Sequence, residues 1–431
     1  MEFIPIIVLV VSFLVLLAIG TPVAWSIAIS SLLTMLVSIP ALPAYTTVAQ
    51  RIGAGLDSFA LLAIPFFILS GQLMNKGGIA QRLIEFAKTL VGALPGGLAL
   101  INIIAAMLMG AIAGSAMASA SAMGSILGPE MEKEGYSKEF GAAVNITSAT
   151  TGLVIPPSNV LIVYSLASGG ASIAALFLAG YIPGILTGLF LMLVAMFWAK
   201  KKKYKTGKRS SLKRVVRTFV DAFPSLMLLV VVIGGIVTGI FTATEASAIA
   251  VLYTLILGFI YREVKIKDLP QILLDSSATT AIVMLLIGAS MSMSWVMSYE
   301  NIPQSISDAL LGISDNKVVI LLIINLILLF VGIFMDMTPA VLIFTPIFLP
   351  VVTKLGMDPV HFGIIMVLNL CIGLCTPPVG SVLFVGVGVA QTSIEKVIKP
   401  LIPLFLAMIV ALFLVTYVPQ LTMWLPELFD L

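Results

Sequence analysis

Apolar residues in this chain do not alternate with polar ones; they run on, almost unbroken, for close to twenty positions at a time. Such runs fall near 3–20, 23–40, 59–74, 96–114, 174–198, 224–241, 246–260, 278–297, 318–335 and 400–418. A helix needs about 20 apolar residues to cross a hydrocarbon core of about 30 Å. The strands of an outer-membrane barrel would alternate apolar and polar positions, and these runs do not. The pattern therefore predicts an all-α polytopic membrane protein, embedded in the lipid bilayer. Residues 3–20 lack a basic start and a small-residue cleavage site before Thr21-Pro22, so the first run is expected to be a retained helix and not a signal peptide.

Two of the apolar stretches are interrupted in the same way. "GLVIPPSNV" (152–160) and "GLCTPPVGS" (373–381) each carry a double proline, 221 residues apart. Holding that offset without gaps aligns Pro129 with Pro350, Gly135 with Gly356, Ser172-Ile173 with Ser393-Ile394, and Thr21 with Thr242. The shared register predicts two copies, 1–199 and 218–431, joined by a basic cytoplasmic linker at 200–217. Within the first copy the expected parts are scaffold helices (1–92), a re-entrant hairpin (95–130), a discontinuous helix (138–168) and a closing helix (174–199). Those of the second are scaffold helices (218–300), a hairpin (317–353), a discontinuous helix (360–392) and a closing helix (398–418).

Counting crossings back from a cytoplasmic linker gives five in the first copy, if 95–130 enters and leaves on one side. An odd number places the second copy upside down relative to the first. Charge supports that inverted topology through the excess of Lys and Arg in cytoplasmic segments. Of 23 such residues, all but Arg51, Lys317 and Lys354 then face inward, ten of them in 200–217. Both termini are expected to be periplasmic. The linker's charge is thus read as topological and not as a nucleic-acid patch.

Composition sharpens this picture. The chain is 60% hydrophobic and 10% charged, against about 25% charged in soluble domains. Breaking a helix with proline costs about 3 kcal/mol or more, and freed peptide groups survive at membrane depth only when buried or lining a cavity. Inverted repeats with broken helices are how secondary transporters build mid-membrane sites. A cation satisfies the exposed carbonyls, and an anion satisfies the N–H groups of the helix that restarts. Sodium is a hard ion that takes oxygen ligands, by analogy with calcium and magnesium. At least two sodium ions are expected. Site one is expected to combine Ser115, Ser119, Asn145 and Ser148 with carbonyls near Gly152 and Val154. Site two would combine Asp336, Thr338, Asn369 and Thr376 with carbonyls near Gly373 and Cys375. The substrate would sit by Pro156, Pro157, Ser158 and Asn159, with Pro377, Pro378 and Ser381 opposite. No Lys or Arg falls within an apolar run, so an anion would be held by helix starts and hydroxyls.

Plainer roles compete. Small residues such as Gly110, Gly114 and the tip serines pack membrane helices closely, and Asn145 and Asn369 are suited to interhelical hydrogen bonds. Asp57, Asp221, Glu245 and Asp275 lie near run ends and read as interfacial. Cys371 and Cys375 with His361 fall short of the four ligands of a structural zinc site. No catalytic residue is assigned; the lone His361 has no nucleophile partner, which argues against an intramembrane enzyme. A channel would repeat its loops about the membrane normal, whereas these are inverted.

Four segments together carry a resemblance: "GAIAGSAMASASAMGSILGPEM", "GYSKEFGAAVNITSATTGLVIPPSN", "GIFMDMTPAVLIFTPIFLPV" and "NLCIGLCTPPVGSVLF". With them the whole chain resembles the large membrane subunit (M, or DctM-like) of tripartite ATP-independent periplasmic (TRAP) transporters. The resemblance implies an elevator-type fold, in which hairpins and broken helices slide against a rigid scaffold. Sodium coupling is implied as well. It further implies a small four-helix Q-type membrane subunit, a periplasmic P-type binding protein, and an organic anion substrate such as a C4-dicarboxylate or sialic acid. The location would be the bacterial inner membrane. Because the chain starts at its first scaffold helix, the small subunit is expected to be a separate polypeptide. The alternative is a self-sufficient sodium/anion symporter of related hairpin architecture.

Overall fold

A computed structural model describes residues 4–204, 210–314 and 316–431; Lys205, Lys208 and Arg209 of the basic linker lie outside them. The described residues form helices and contain no strand. The first half runs α1 (Ile4–Ala18), α2 (Val23–Ser38), α3 (Ala41–Leu56), α4 (Ala63–Lys76), α5 (Ile79–Val91), α6 (Gly97–Ala113), α7 (Ala116–Lys133), α8 (Lys138–Thr151), α9 (Asn159–Ala167) and α10 (Ile173–Lys202). The second runs α11 (Leu212–Val237), α12 (Ala243–Ile260), α13 (Leu269–Tyr299), α14 (Ile302–Ile313), α15 (Lys317–Phe334), α16 (Met337–Lys354), α17 (Pro359–Gly373), α18 (Ser381–Val389), α19 (Ile394–Tyr417) and α20 (Gln420–Leu428). Among the described residues, eight helices are long and apolar enough to span a membrane, or nine if the bent α8–α9 pair counts as one.

Helix starts follow from the sequence. Ser115, Ser137, Ser172 and Ser211 each accept a backbone N–H at the starts of α7, α8, α10 and α11, and Thr242 with Glu245 closes a reciprocal capping box on α12. Such caps satisfy donors that a helix cannot satisfy itself. Gly114 turns α6 into α7 with φ at 61°, a left-handed conformation that glycine adopts without strain.

From α6 onward the boundaries keep step across the 221-residue offset: α6 and α7 shifted overlie α15 and α16, and α8 and α9 overlie α17 and α18. The scaffold region departs from it. Hydropathy gave no helix at 41–56, where Gln50, Arg51 and two glycines dilute the apolar run, yet α3 forms there and packs on α2 and α13. In the second half one continuous helix, α13, starting at Leu269, stands where the first half has the later part of α3 and all of α4. Asp57 and Ser58, between α3 and α4, align with Ala278 and Thr279 inside α13. The amphipathic helices α5 and α14, and the C-terminal α20, are likewise absent from the apolar-run pattern.

Packing between the halves is reciprocal. α18 lies on α7 while α9 lies on α16, and α19 lies on α8 while α10 lies on α17. Corresponding helices also meet one another: α10 touches α19 and α8 touches α17. Reciprocal contacts of this kind are what a two-fold relation between equivalent units generates. Beside this assembly α2, α3 and α4 pack with α12 and α13, and α4 and α13 form the wall against which α6, α9 and α16 rest.

Candidate functional site

The first break is a sharp one. α8 ends in a 3-10 turn over Gly152–Val154, and α9 departs at 50° to it. Pro156 and Pro157 are joined by a cis peptide, as are Pro377 and Pro378. Ser158 braces the break: its hydroxyl donates to the Leu153 carbonyl at 2.6 Å. The hairpin tip is pressed onto it. A Cβ added at Gly110 would lie 2.8 Å from the Gly152 Cα, which only a glycine pair permits. The second half repeats the arrangement, since a Cβ at Gly373 would lie 2.5 Å from the Gly332 Cα.

Beside the first tip is a cavity of about 160 Å³. Ser115 and Ala118 enter it from the start of α7, Asn159 and Val160 from the start of α9, and Thr338 from the start of α16. Across from them stand Gln72 and Asn75 of α4 and Thr279 of α13. Three helix N-termini thus open into one space, each carrying unpaired N–H groups and about half a positive charge. No residue lining the cavity is charged. The arrangement suits a small anion whose oxygens take backbone and hydroxyl donors, with the scaffold amides giving directional contacts.

The other expected site residues fall in different places. Ser119 is buried and donates to the Ala106 carbonyl at 2.9 Å, tying the two hairpin arms together. Ser148 is buried and donates to Val144 at 2.7 Å within its own helix. Asn145 does not line that cavity. It donates to the Ala120 carbonyl at 2.6 Å, and its buried Oδ1 has no partner. It lines a separate cavity of about 330 Å³ with Asn102, Gly124 and Gln391. The reason is axial distance: seven residues separate Asn145 from Gly152, about 10 Å along a helix. The Gly152 carbonyl accepts from Ile155, and the Val154 carbonyl faces Gly180 of α10.

In the second half Asp336 occupies the position before α16 without making a side-chain cap bond. It does not line the shared cavity; Thr338, two residues on, does. Asn369 donates to Asn325 at both Oδ1 (2.7 Å) and the backbone oxygen (3.0 Å). The Thr376 hydroxyl donates to Ile372, and the Gly373 carbonyl accepts from Thr376. Cys375 packs instead against α8, 3.2 Å from the Thr150 hydroxyl, while Cys371 donates to the Thr150 carbonyl at 3.1 Å. Ser381 has a buried hydroxyl without a partner. Pro378 and Val379 are exposed, whereas Pro156 is buried.

Gln72, Asn75, Thr279 and Asn325 were missed. A signal existed for the first two: polar residues three apart in an apolar run share a helix face, and such a face seldom points to lipid.

A family model described as "Tripartite ATP-independent periplasmic transporter, DctM component" matches residues 10–421. An uncharacterized protein, YgiK, of Salmonella typhimurium is 58% identical over 99% of this chain and 98% of its own. The sialic acid TRAP transporter large permease protein of Vibrio cholerae is 40% identical, over 88% of this chain and 89% of its own. The isethionate TRAP permease DctMQ of Oleidesulfovibrio alaskensis is 42% identical over 96% of this chain, which spans 65% of that longer protein. Among solved structures, the YdaH transporter of Alcanivorax borkumensis aligns with a TM-score of 0.64 at 15% identity, covering 86% of this chain and 87% of that one; at that identity the likeness concerns the fold alone. With the match spanning nearly its full length, the chain belongs to the DctM component family of tripartite ATP-independent periplasmic transporters, a multi-pass membrane permease and not an enzyme.

Proposed function

We propose that this permease imports an organic anion across the bacterial inner membrane, driven by sodium, with a periplasmic binding protein delivering the substrate and a small membrane subunit bracing the scaffold. The observation that carries the reading is the cavity where α7, α9 and α16 begin. It gathers positive helix ends without a single cationic side chain, which suits a carboxylate or sulfonate that must be released again. Relatives are named for C4-dicarboxylates, sialic acid and isethionate, and each of these carries such a group. The two halves are read as inverted repeats, 1–199 and 218–431, with both chain termini periplasmic. α4 and α13 would stay fixed while the hairpins and broken helices move past them as an elevator. Sodium ions would sit at the two breaks: Ser115, Ser119 and Ser148 with carbonyls near Gly152 and Val154 at the first, Asp336, Thr338 and Thr376 with carbonyls near Gly373 and Cys375 at the second. Asn145 and Asn369, about two turns and one turn before the breaks, belong to the two sets as well, and the Oδ1 of each is buried without a hydrogen-bond partner.

The test is uptake of labelled dicarboxylates, sialic acid and isethionate into proteoliposomes, with candidate binding proteins and an imposed sodium gradient. Uptake that requires both a binding protein and inward sodium is expected. Uptake by the purified chain alone would favour a self-sufficient symporter, and uptake indifferent to sodium would remove the coupling. Asp336→Asn should raise the sodium concentration for half-maximal uptake about tenfold, as loss of a charged ligand predicts, with membrane insertion unchanged.

A further inference from the structure

At the ends of α10 and α19, away from the transport cavity, lies an open cleft of about 670 Å³. Lys201 and Lys202 line it from α10, and Lys396 and Lys399 from α19. Glu139 is the one carboxylate in its lining. Among the described residues none of the four lysines is in a salt bridge. Trp198 lines the cleft as well. Its ring stacks on Phe140 with centroids 5.7 Å apart, yet its buried indole Nε1–H has no hydrogen-bond partner. Indole N–H is a donor only, so the cleft offers donors in excess of acceptors.

The surface leading away from the cleft is apolar. On α10, Ile185, Leu189, Leu193 and Phe197 are exposed at four-residue spacing, and the next position in that row is Lys201. On α19 the row Ile402, Leu406, Val410 is exposed in the same way, beginning one turn after Lys399. Topological charge alone would account for lysines near a membrane surface. It would not account for an orphaned indole donor at the same cluster.

We propose that this cleft binds the phosphate headgroup of an acidic membrane phospholipid, whose acyl chains lie along the outer faces of α10 and α19. Basic pockets between membrane helices on the cytoplasmic side bind such headgroups, and the inside placement of lysines proposed above puts this one in that leaflet. The ammonium groups neutralise the phosphate, the Trp198 N–H donates to one of its oxygens, and Glu139 disfavours a headgroup with more negative charge around it. A free phosphate ion would use the same donors but gain nothing from the apolar rows. The inference is independent of which anion is transported.

The experiment uses the full chain in neutral detergent. Bound lipid is counted by native mass spectrometry and by the shift in thermal melting, as phosphatidylglycerol, phosphatidylcholine of the same chains, or inorganic phosphate is added. Phosphatidylglycerol is expected to bind and the other two to bind far more weakly. The K396Q/K399Q variant should weaken phosphatidylglycerol about 30-fold, as roughly fivefold per surface cation predicts. K265Q/K267Q, with the same charge change elsewhere, should leave binding unaltered. Trp198→Phe keeps the ring stack and should weaken binding about fivefold; it decides the matter if the lysine variant fails to insert. Equal binding of phosphatidylcholine, equal loss in the control variant, or a full effect from inorganic phosphate alone would overturn the proposal.

Discussion

Gly110 and Gly152 touch through their backbones, and so do Gly332 and Gly373. At Gly110, Gly152 and Gly373 a methyl group has nowhere to go, and at Gly332 it would be tight. Gly152→Ala and Gly373→Ala should each cost about 1–3 kcal/mol, the usual penalty of overpacking, and lower the melting temperature of the purified chain. Gly128→Ala, which meets open space inside α7, should hold or slightly raise it. In the cavity, Asn159→Ala removes an amide that lies against Gly114 at the tip. It should raise the half-saturating substrate concentration about tenfold with sodium dependence intact; unchanged substrate affinity would take Asn159 out of the site. Much of this was legible in the sequence. Ser115, Asn159 and Thr338 stand out because each lies at a helix start near Gly114, Pro157 or Pro339, although only Asn159 is expected there as a substrate contact, and Ser115 and Thr338 as sodium ligands. The Ala120 partner of Asn145 was not legible, because sequence spacing gives the face of a helix but not which neighbour lies at that depth. Asn325 was invisible for the same reason: only its packing against α17 makes it the partner of Asn369.

At the level of elements, hydropathy located the long helices and the proline pairs located the breaks, since both signals are local. The helices α3, α5, α14 and α20 depend on what they lie against. α5 is amphipathic, and its polar side meets charges from other elements: Lys88 bonds Glu130 at the end of α7 (3.0 Å) and Glu85 of its own helix (3.1 Å), while Arg214 of α11 approaches Glu85. Burial alone would lower the Lys88 pKa; the hydrogen-bonded carboxylates of Glu130 and Glu85 outweigh it and hold the ammonium above its ordinary value. The ammonium is therefore charged throughout the physiological range, and the link between α5 and α7 is set by the carboxylates. All three groups are partly exposed, so Glu130→Gln should cost under about 1 kcal/mol in stability. If the hairpin moves relative to α5 during transport, the same change should alter uptake rate more than melting temperature. Equal small effects on both would make the pair merely structural.

Across the whole molecule, the decisive boundary is the one between the wall of α4 and α13 and the helix starts that face it. Thr279 and Thr338 line the same cavity from opposite sides of that boundary. Joining T279C to T338C with a cleavable thiol cross-linker should stop uptake, and cleaving the linker should restore it, because the native Cys371 and Cys375 are buried. Uptake that persists while the link is intact would rule out an elevator. The apolar runs and the 221-residue offset made the two halves visible, but not the way each supplies a surface for the other. That exchange bears on synthesis. α7 and α9 leave the ribosome before any of α18 or α16 exists, so the first half waits in the bilayer with its inner faces uncovered, a state prone to misassembly. Expressed alone, residues 1–204 should be degraded; co-expressed with 210–431 they should persist, as two fragments that finish each other.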